Sequence, residues 1–142
     1  MSRKLRNVML VDDDPALNWI STKIIELGGY SDSIIDFTNP LDGLEYLKNN
    51  SEEGNILPCV LFLDINMPYM NGWDFLTELK IISPELPKTT LIYILTSSDF
   101  NEDVEKSKSF TELSGYFVKP LAPEYFEKVF SELDAKQPGW DK

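Results

Sequence analysis

Four short apolar runs rich in β-branched residues, Val8 to Val11, Ser33 to Phe37, Val60 to Leu63 and Leu91 to Leu95, recur along the chain, and a weaker fifth spans Tyr116 to Val118. Between them lie segments whose apolar residues have helical spacing. The first segment carries Leu17, Ile20, Ile24 and Leu27, the second Leu41, Leu44 and Leu47, and the third Phe75, Leu76, Leu79 and Ile82. Asn101 to Lys108 reads as a polar, weakly amphipathic helix, and Phe126, Val129, Phe130 and Leu133 mark a last, strong one. Nearly every strand is a continuous apolar run rather than an alternating one, so both faces of the sheet must be covered. Five βα units of this kind predict an α/β fold, a doubly wound five-stranded parallel sheet with helices on both faces.

With 142 residues, 42% of them apolar and 12% aromatic, the chain has enough material for one core. No composition shift divides it, so the expectation is a single domain over 1–142, with a core from about 7 to 133, a short tail from 134 to 142 and no output domain. Cys59 opens the run Cys59 to Leu63 and reads as a small buried hydrophobe; a lone cysteine forms no disulfide within the chain. Arg3, Lys4 and Arg6 look like the start of a signal peptide, but Asp12, Asp13 and Asp14 interrupt the apolar run that follows. No stretch approaches the ~18 apolar residues of a membrane span. A cytoplasmic protein without membrane contact is the expectation. A net charge of −11 disfavours contact with nucleic-acid phosphates. The absence of histidine excludes Ser-His and Cys-His catalytic pairs and His-based zinc sites.

In open α/β sheets the reactive crevice lies beyond the carboxyl ends of the strands, and here those ends are acidic. Strand one runs into Asp12, Asp13 and Asp14, and strand three ends in Asp64. With strands one and three adjacent, as in the order 2-1-3-4-5, these carboxylates converge. Two negative charges ~5 Å apart at an effective dielectric of ~20 repel by roughly 3 kcal/mol, so the cluster calls for a cation. Hard oxygen donors in an open crevice suit Mg2+ better than a Ca2+ cage. Asp14 before Pro15 reads instead as a helix cap, with proline at the first helical position. Thr96 and Ser97 close strand four and Lys119 and Pro120 close strand five, placing a hydroxyl and an ammonium where they can meet phosphoryl oxygens.

Taken in order, Val11-Asp12-Asp13, Leu63-Asp64-Ile65-Asn66-Met67-Pro68, Asn71-Gly72, Thr96-Ser97 and Tyr116-Phe117-Val118-Lys119-Pro120 resemble the receiver domain of two-component response regulators, from Asn7 to about Leu133. The resemblance implies a chemotaxis-receiver-like, flavodoxin-like (βα)5 fold. It implies that Asp64 accepts a phosphoryl group from a histidine kinase or histidine phosphotransfer protein. Mg2+, with Mn2+ as an alternative, would be held by Asp13, Asp64 and the backbone carbonyl of Asn66, with Asp12 assisting. Lys119 would hold a phosphoryl oxygen and the Asp64 carboxylate, and its bond to Pro120 would be cis. Thr96 and Tyr116 would act as switch residues that alter the face made by helix four, strand five and helix five, where a downstream protein binds. The chain would be a monomer or weak homodimer and no enzyme beyond phosphorylating and dephosphorylating itself.

Two departures concern the output face: Ser109 to Ser114 lacks an alanine-rich, Gly-Ala ending, and Leu121 replaces a frequent phenylalanine. The connection from Asn49 to Pro58 is long and polar and belongs at the end away from the acidic cluster. Phosphatases of the haloacid-dehalogenase type share a strand-end Asp nucleophile, but they need a second Asp two residues on. Asn66 stands there and cannot serve as a general acid near neutral pH. The glycines form neither a dinucleotide nor a P-loop pattern. An interaction module that keeps the fold without phosphorylation remains the other alternative.

Overall fold

The computed structural model describes residues 3–50, 57–97 and 101–141. Five strands, β1 (Val8–Val11), β2 (Ile34–Phe37), β3 (Val60–Asp64), β4 (Leu91–Thr96) and β5 (Gly115–Val118), form one sheet. Five helices alternate with them: α1 (Pro15–Gly28), α2 (Pro40–Asn49), α3 (Gly72–Ile82), α4 (Asn101–Ser107) and α5 (Tyr125–Lys136). Strand order is β2-β1-β3-β4-β5, all parallel. The doubly wound arrangement expected from the continuous apolar runs is therefore present. A short 3-10 turn at Leu86–Lys88, between α3 and β4, has no counterpart in the sequence reading.

Successive strand residues face opposite sides of the sheet, so β1 and β3 supply both cores. Val8, Leu10, Val60 and Phe62 pack with Ile25 of α1 and with Phe126, Val129 and Leu133 of α5. Met9, Val11, Leu61 and Leu63 pack on the other side with Leu44 and Leu47 of α2 and with Phe75, Leu76 and Leu79 of α3. Side-chain caps fix the helix starts: Asp14 Oδ1 accepts from the Ala16 N–H at 2.9 Å, Asn39 from Leu41 at 2.9 Å and Asn71 from Asp74 at 2.8 Å. Pro15 and Pro40 occupy first-turn positions, where their missing N–H costs nothing.

In α1 the buried face differs from the one read off the apolar spacing. Asn18, Ser21 and Ile25 point inward, whereas Leu27 is 87% exposed and Ile20 is also exposed. Asn18 occupies the inner stripe because the strand ends beneath α1 offer it carbonyls to bond, so the apolar pattern misplaced the buried face by one residue. Leu41 of α2, also read as an inner position, is exposed. Cys59 is half-buried rather than fully enclosed, with its Sγ 3.0 Å from the Asn7 carbonyl oxygen.

The core also reaches beyond 7–133. Leu5 is buried, and the tail folds back so that the Trp140 ring stacks on Phe130 at 5.7 Å. The indole N–H donates to Asp134 at 2.9 Å, and the Arg3 guanidinium, 5.4 Å from the Trp140 ring, also bonds Asp134. The part of the Asn49–Pro58 connection spanning residues 51–56 lies outside the described residues. No helix among the described residues is long and apolar enough to cross a membrane.

Candidate functional site

The register of the sheet brings the acidic strand ends together. β1 lies directly between β2 and β3, with Val11 opposite Leu63, so Asp12 and Asp64 emerge as neighbours at the carboxyl edge. Asp12, Asp13 and Asp64 each present a carboxylate oxygen within 4.8 Å of the others. Asp12 and Asp64 are 4% and 3% exposed, and Asp13 is the most open of the three. Asp14 stays apart as the cap of α1.

Lys119 enters from the end of β5 and joins the two buried acids. Its Nζ lies 2.8 Å from Asp12 Oδ2 and 2.9 Å from Asp64 Oδ1. The Lys119 backbone N–H donates to the Thr96 carbonyl at 2.7 Å, and the Lys119–Pro120 peptide is cis. Thr96, the last residue of β4, is buried beside β5, opposite Val118. Asp12 Oδ1 accepts the Asp14 N–H at 3.0 Å. The Asn66 N–H points to Asp64 Oδ1 at 3.4 Å, a long contact that leaves the second Asp64 oxygen to other partners.

The electrostatics are uneven. Burial, the largest influence, pushes the Asp64 carboxyl up to about 7; the charge of Asp12 acts in the same direction, and the hydrogen bond and charge of Lys119 oppose it. Burial pulls Lys119 down, but its hydrogen bonds to Asp12 and Asp64 and their charges outweigh it, so the ammonium is held more firmly than in water. Among the described residues Lys119 is the one cation bonded to any of these three carboxylates, which leaves the crevice short of positive charge. That shortage and the all-oxygen donor set fit a divalent ion such as Mg2+.

The β3–α3 junction is tight. The Gly72 N–H donates to the Ile65 carbonyl at 2.8 Å, and a Cβ on Gly72 would lie 2.7 Å from the Asp64 carbonyl oxygen. Only glycine permits that approach, which ties the start of α3 to the backbone of Asp64. Tyr116 is half-buried against the core on the α2 and α3 side.

The sequence reading missed Asn18. It is 2% exposed, and its amide Nδ2 donates to the Asp12 carbonyl at 2.9 Å and lies 3.4 Å from the Phe37 carbonyl. A polar residue within an otherwise amphipathic segment carries no signal of its own; only the acidic strand end six residues earlier hints at a partner.

Comparison with known proteins identifies the family. Residues 8–131 match the model of the response regulator receiver domain. A probable methanogenesis regulatory protein, FilR2 of Methanothrix harundinacea, is 24% identical over 95% of this chain and 85% of its own length. Sensor histidine kinase CheAY of Helicobacter pylori is 30% identical over 86% of this chain, which spans only 14% of that kinase. Among solved structures, a two-component response regulator from Cytophaga hutchinsonii superposes with a TM-score of 0.86 at 26% identity, covering 92% of this chain and 98% of that one. The chain belongs to the response regulator receiver domain family.

Proposed function

We propose that this chain accepts a phosphoryl group on Asp64 from a phosphohistidine of a histidine kinase or histidine phosphotransfer protein, with Mg2+ bound by Asp12, Asp13 and Asp64. The observation that carries the reading is the convergence of three carboxylates within 4.8 Å around a lysine bonded to two of them. In the transfer, an Asp64 oxygen forms the new P–O bond as the P–N bond to the donor imidazole breaks. Mg2+ would neutralise the charge gathering on the phosphoryl oxygens.

The chain's own residues orient the reacting groups. Lys119, already against Asp64 Oδ1, holds that oxygen aside, so that the other faces the donor, and then bonds a phosphoryl oxygen. Asp13 and the Asn66 carbonyl complete the cation's protein ligands. Thr96 shifts toward the phosphoryl group and Tyr116 turns inward. The surface of α4, β5 and α5 changes for a downstream protein, and the role is that of a switch rather than of a turnover enzyme.

Intact mass after incubation with acetyl phosphate and Mg2+ tests the reading. One added phosphoryl group is the expected result, absent without Mg2+ and absent in Asp64→Asn. An unchanged mass, where another receiver is labelled in parallel, supports a phosphorylation-independent interaction module instead.

A further inference from the structure

We propose that Asn18 is a positioning residue for the cation site: by fixing the peptide plane between Asp12 and Asp13 it sets the direction in which Asp13 presents its carboxylate, and with it the preference for Mg2+. The inference rests on the reading that these acids hold Mg2+.

The argument begins with what the amide is doing inside the protein. Burying a primary amide is unfavourable unless its hydrogens are bonded, and an apolar side chain in this place on α1 would pack at no such cost. Asn18 answers the cost with two carbonyls at neighbouring strand ends, Asp12 at 2.9 Å and Phe37 at 3.4 Å. The Phe37 carbonyl also accepts the Asp12 N–H at 3.0 Å, so β1, β2 and α1 meet at one knot of hydrogen bonds.

The Asp12 carbonyl and the Asp13 N–H belong to one planar peptide unit. Holding the oxygen holds the nitrogen and the direction of the N–Cα bond from which Asp13 departs, and φ at Asp13 is then limited by the next peptide plane, whose Asp14 N–H is held by Asp12 Oδ1. The following residues are anchored too, because the Asp14 N–H bonds Asp12 Oδ1 at 3.0 Å and the Asn18 N–H bonds the Asp14 carbonyl at 3.1 Å. Lys119 fixes the Asp12 and Asp64 side chains directly. Asp13, the most open of the three acids, is aimed by its backbone, and Asn18 holds the peptide plane on its N-terminal side.

Cation chemistry turns this into a selectivity. Mg2+ demands near-ideal octahedral geometry at short distances, whereas Ca2+ accepts looser and more numerous ligands. Freeing the 12–13 peptide plane therefore penalises Mg2+ more than Ca2+. Groups that orient metal ligands change metal affinity by roughly 10–100-fold when removed.

The test is titration of the 15N-labelled chain with MgCl2 and, separately, CaCl2, followed at the backbone amides of Asp13 and Asn66, for the native protein and Asn18→Leu. The expected result is a Mg2+ affinity at least tenfold weaker in the variant, with a Ca2+ loss at least threefold smaller than the Mg2+ loss. A smaller Mg2+ effect, or an equal loss for both ions as a generally loosened crevice would give, overturns the proposal. Should Asn18→Leu not fold, the Asn18 side-chain amide signals of the native protein decide. Movement with the same Mg2+ midpoint as the Asp13 amide supports positioning, and signals indifferent to Mg2+ overturn it. A native chain that binds Mg2+ but takes up no phosphoryl group from acetyl phosphate refutes the phosphoacceptor reading and leaves the role of Asn18 standing.

Discussion

Replacing Asp64 by Asn stabilises the metal-free protein, and the gain depends on pH in a direction fixed by the site. Asp64 is buried beside Asp12, and its carboxyl is pushed up to about 7 from 3.8. Between those values the native chain keeps a proton that the unfolded chain has released, so stability falls as pH rises through this window. Asparagine never pays this ionisation penalty. The difference corresponds to about 4 kcal/mol as a ceiling above pH 7, and it shrinks toward zero below pH 4. With solvent relaxation in the open crevice, a gain of about 2 kcal/mol at pH 8 is the expectation, or roughly 6 °C in Tm for a chain of this size. Urea unfolding of both proteins at several pH values from 4 to 8, without divalent ions, measures it. Mg2+ at pH 8 then stabilises the native chain and narrows the gap, because the cation favours the ionised form. An Asp64→Asn gain that is constant from pH 4 to pH 8, or that grows as pH falls, refutes the electrostatic account of the crevice.

Three further outcomes follow from packing. Gly72→Ala sets a Cβ against the Asp64 carbonyl oxygen, costs about 2 kcal/mol by urea unfolding and slows phosphoryl uptake; a neutral substitution contradicts the tight junction. Tyr93→Phe removes a buried hydroxyl with no hydrogen-bond partner among the described residues, so stability stays within about 0.5 kcal/mol or rises by about 1, and a loss above about 1 kcal/mol shows a missed partner. Trp140→Ala breaks the stack on Phe130 and the bond to Asp134 and costs about 2–3 kcal/mol, with phosphoryl uptake per folded molecule unchanged.

The fold was legible because each strand is a compact β-branched run between helical segments, a pattern that local steric preference and burial both impose. The acids were legible because Asp12, Asp13 and Asp64 stand where strands end, and the sheet order alone brings them together. What stayed hidden depends on contacts that spacing does not encode. The inner face of α1 is set by the carbonyls that Asn18 bonds, so counting apolar residues placed Leu27 inside when it is outside. The tail looked like an appendage because its partners, Arg3 among them, lie at the other end of the chain. The Lys119 contact with Asp64 followed from the family resemblance, but its second bond, to Asp12, depends on β5 returning beside β4, a distance in sequence that no local motif spans.

The central claim is that Asp64 carries the phosphoryl group, and chemical trapping tests it at the level of the residue. An aspartyl phosphate is a mixed anhydride that borohydride reduces to homoserine, whereas a free carboxylate is inert to it. After acetyl phosphate and Mg2+, borohydride treatment and peptide mass spectrometry, the account predicts homoserine at position 64 and unchanged aspartate at positions 12, 13 and 14. Homoserine at any of those other positions, or at none of the four, contradicts it.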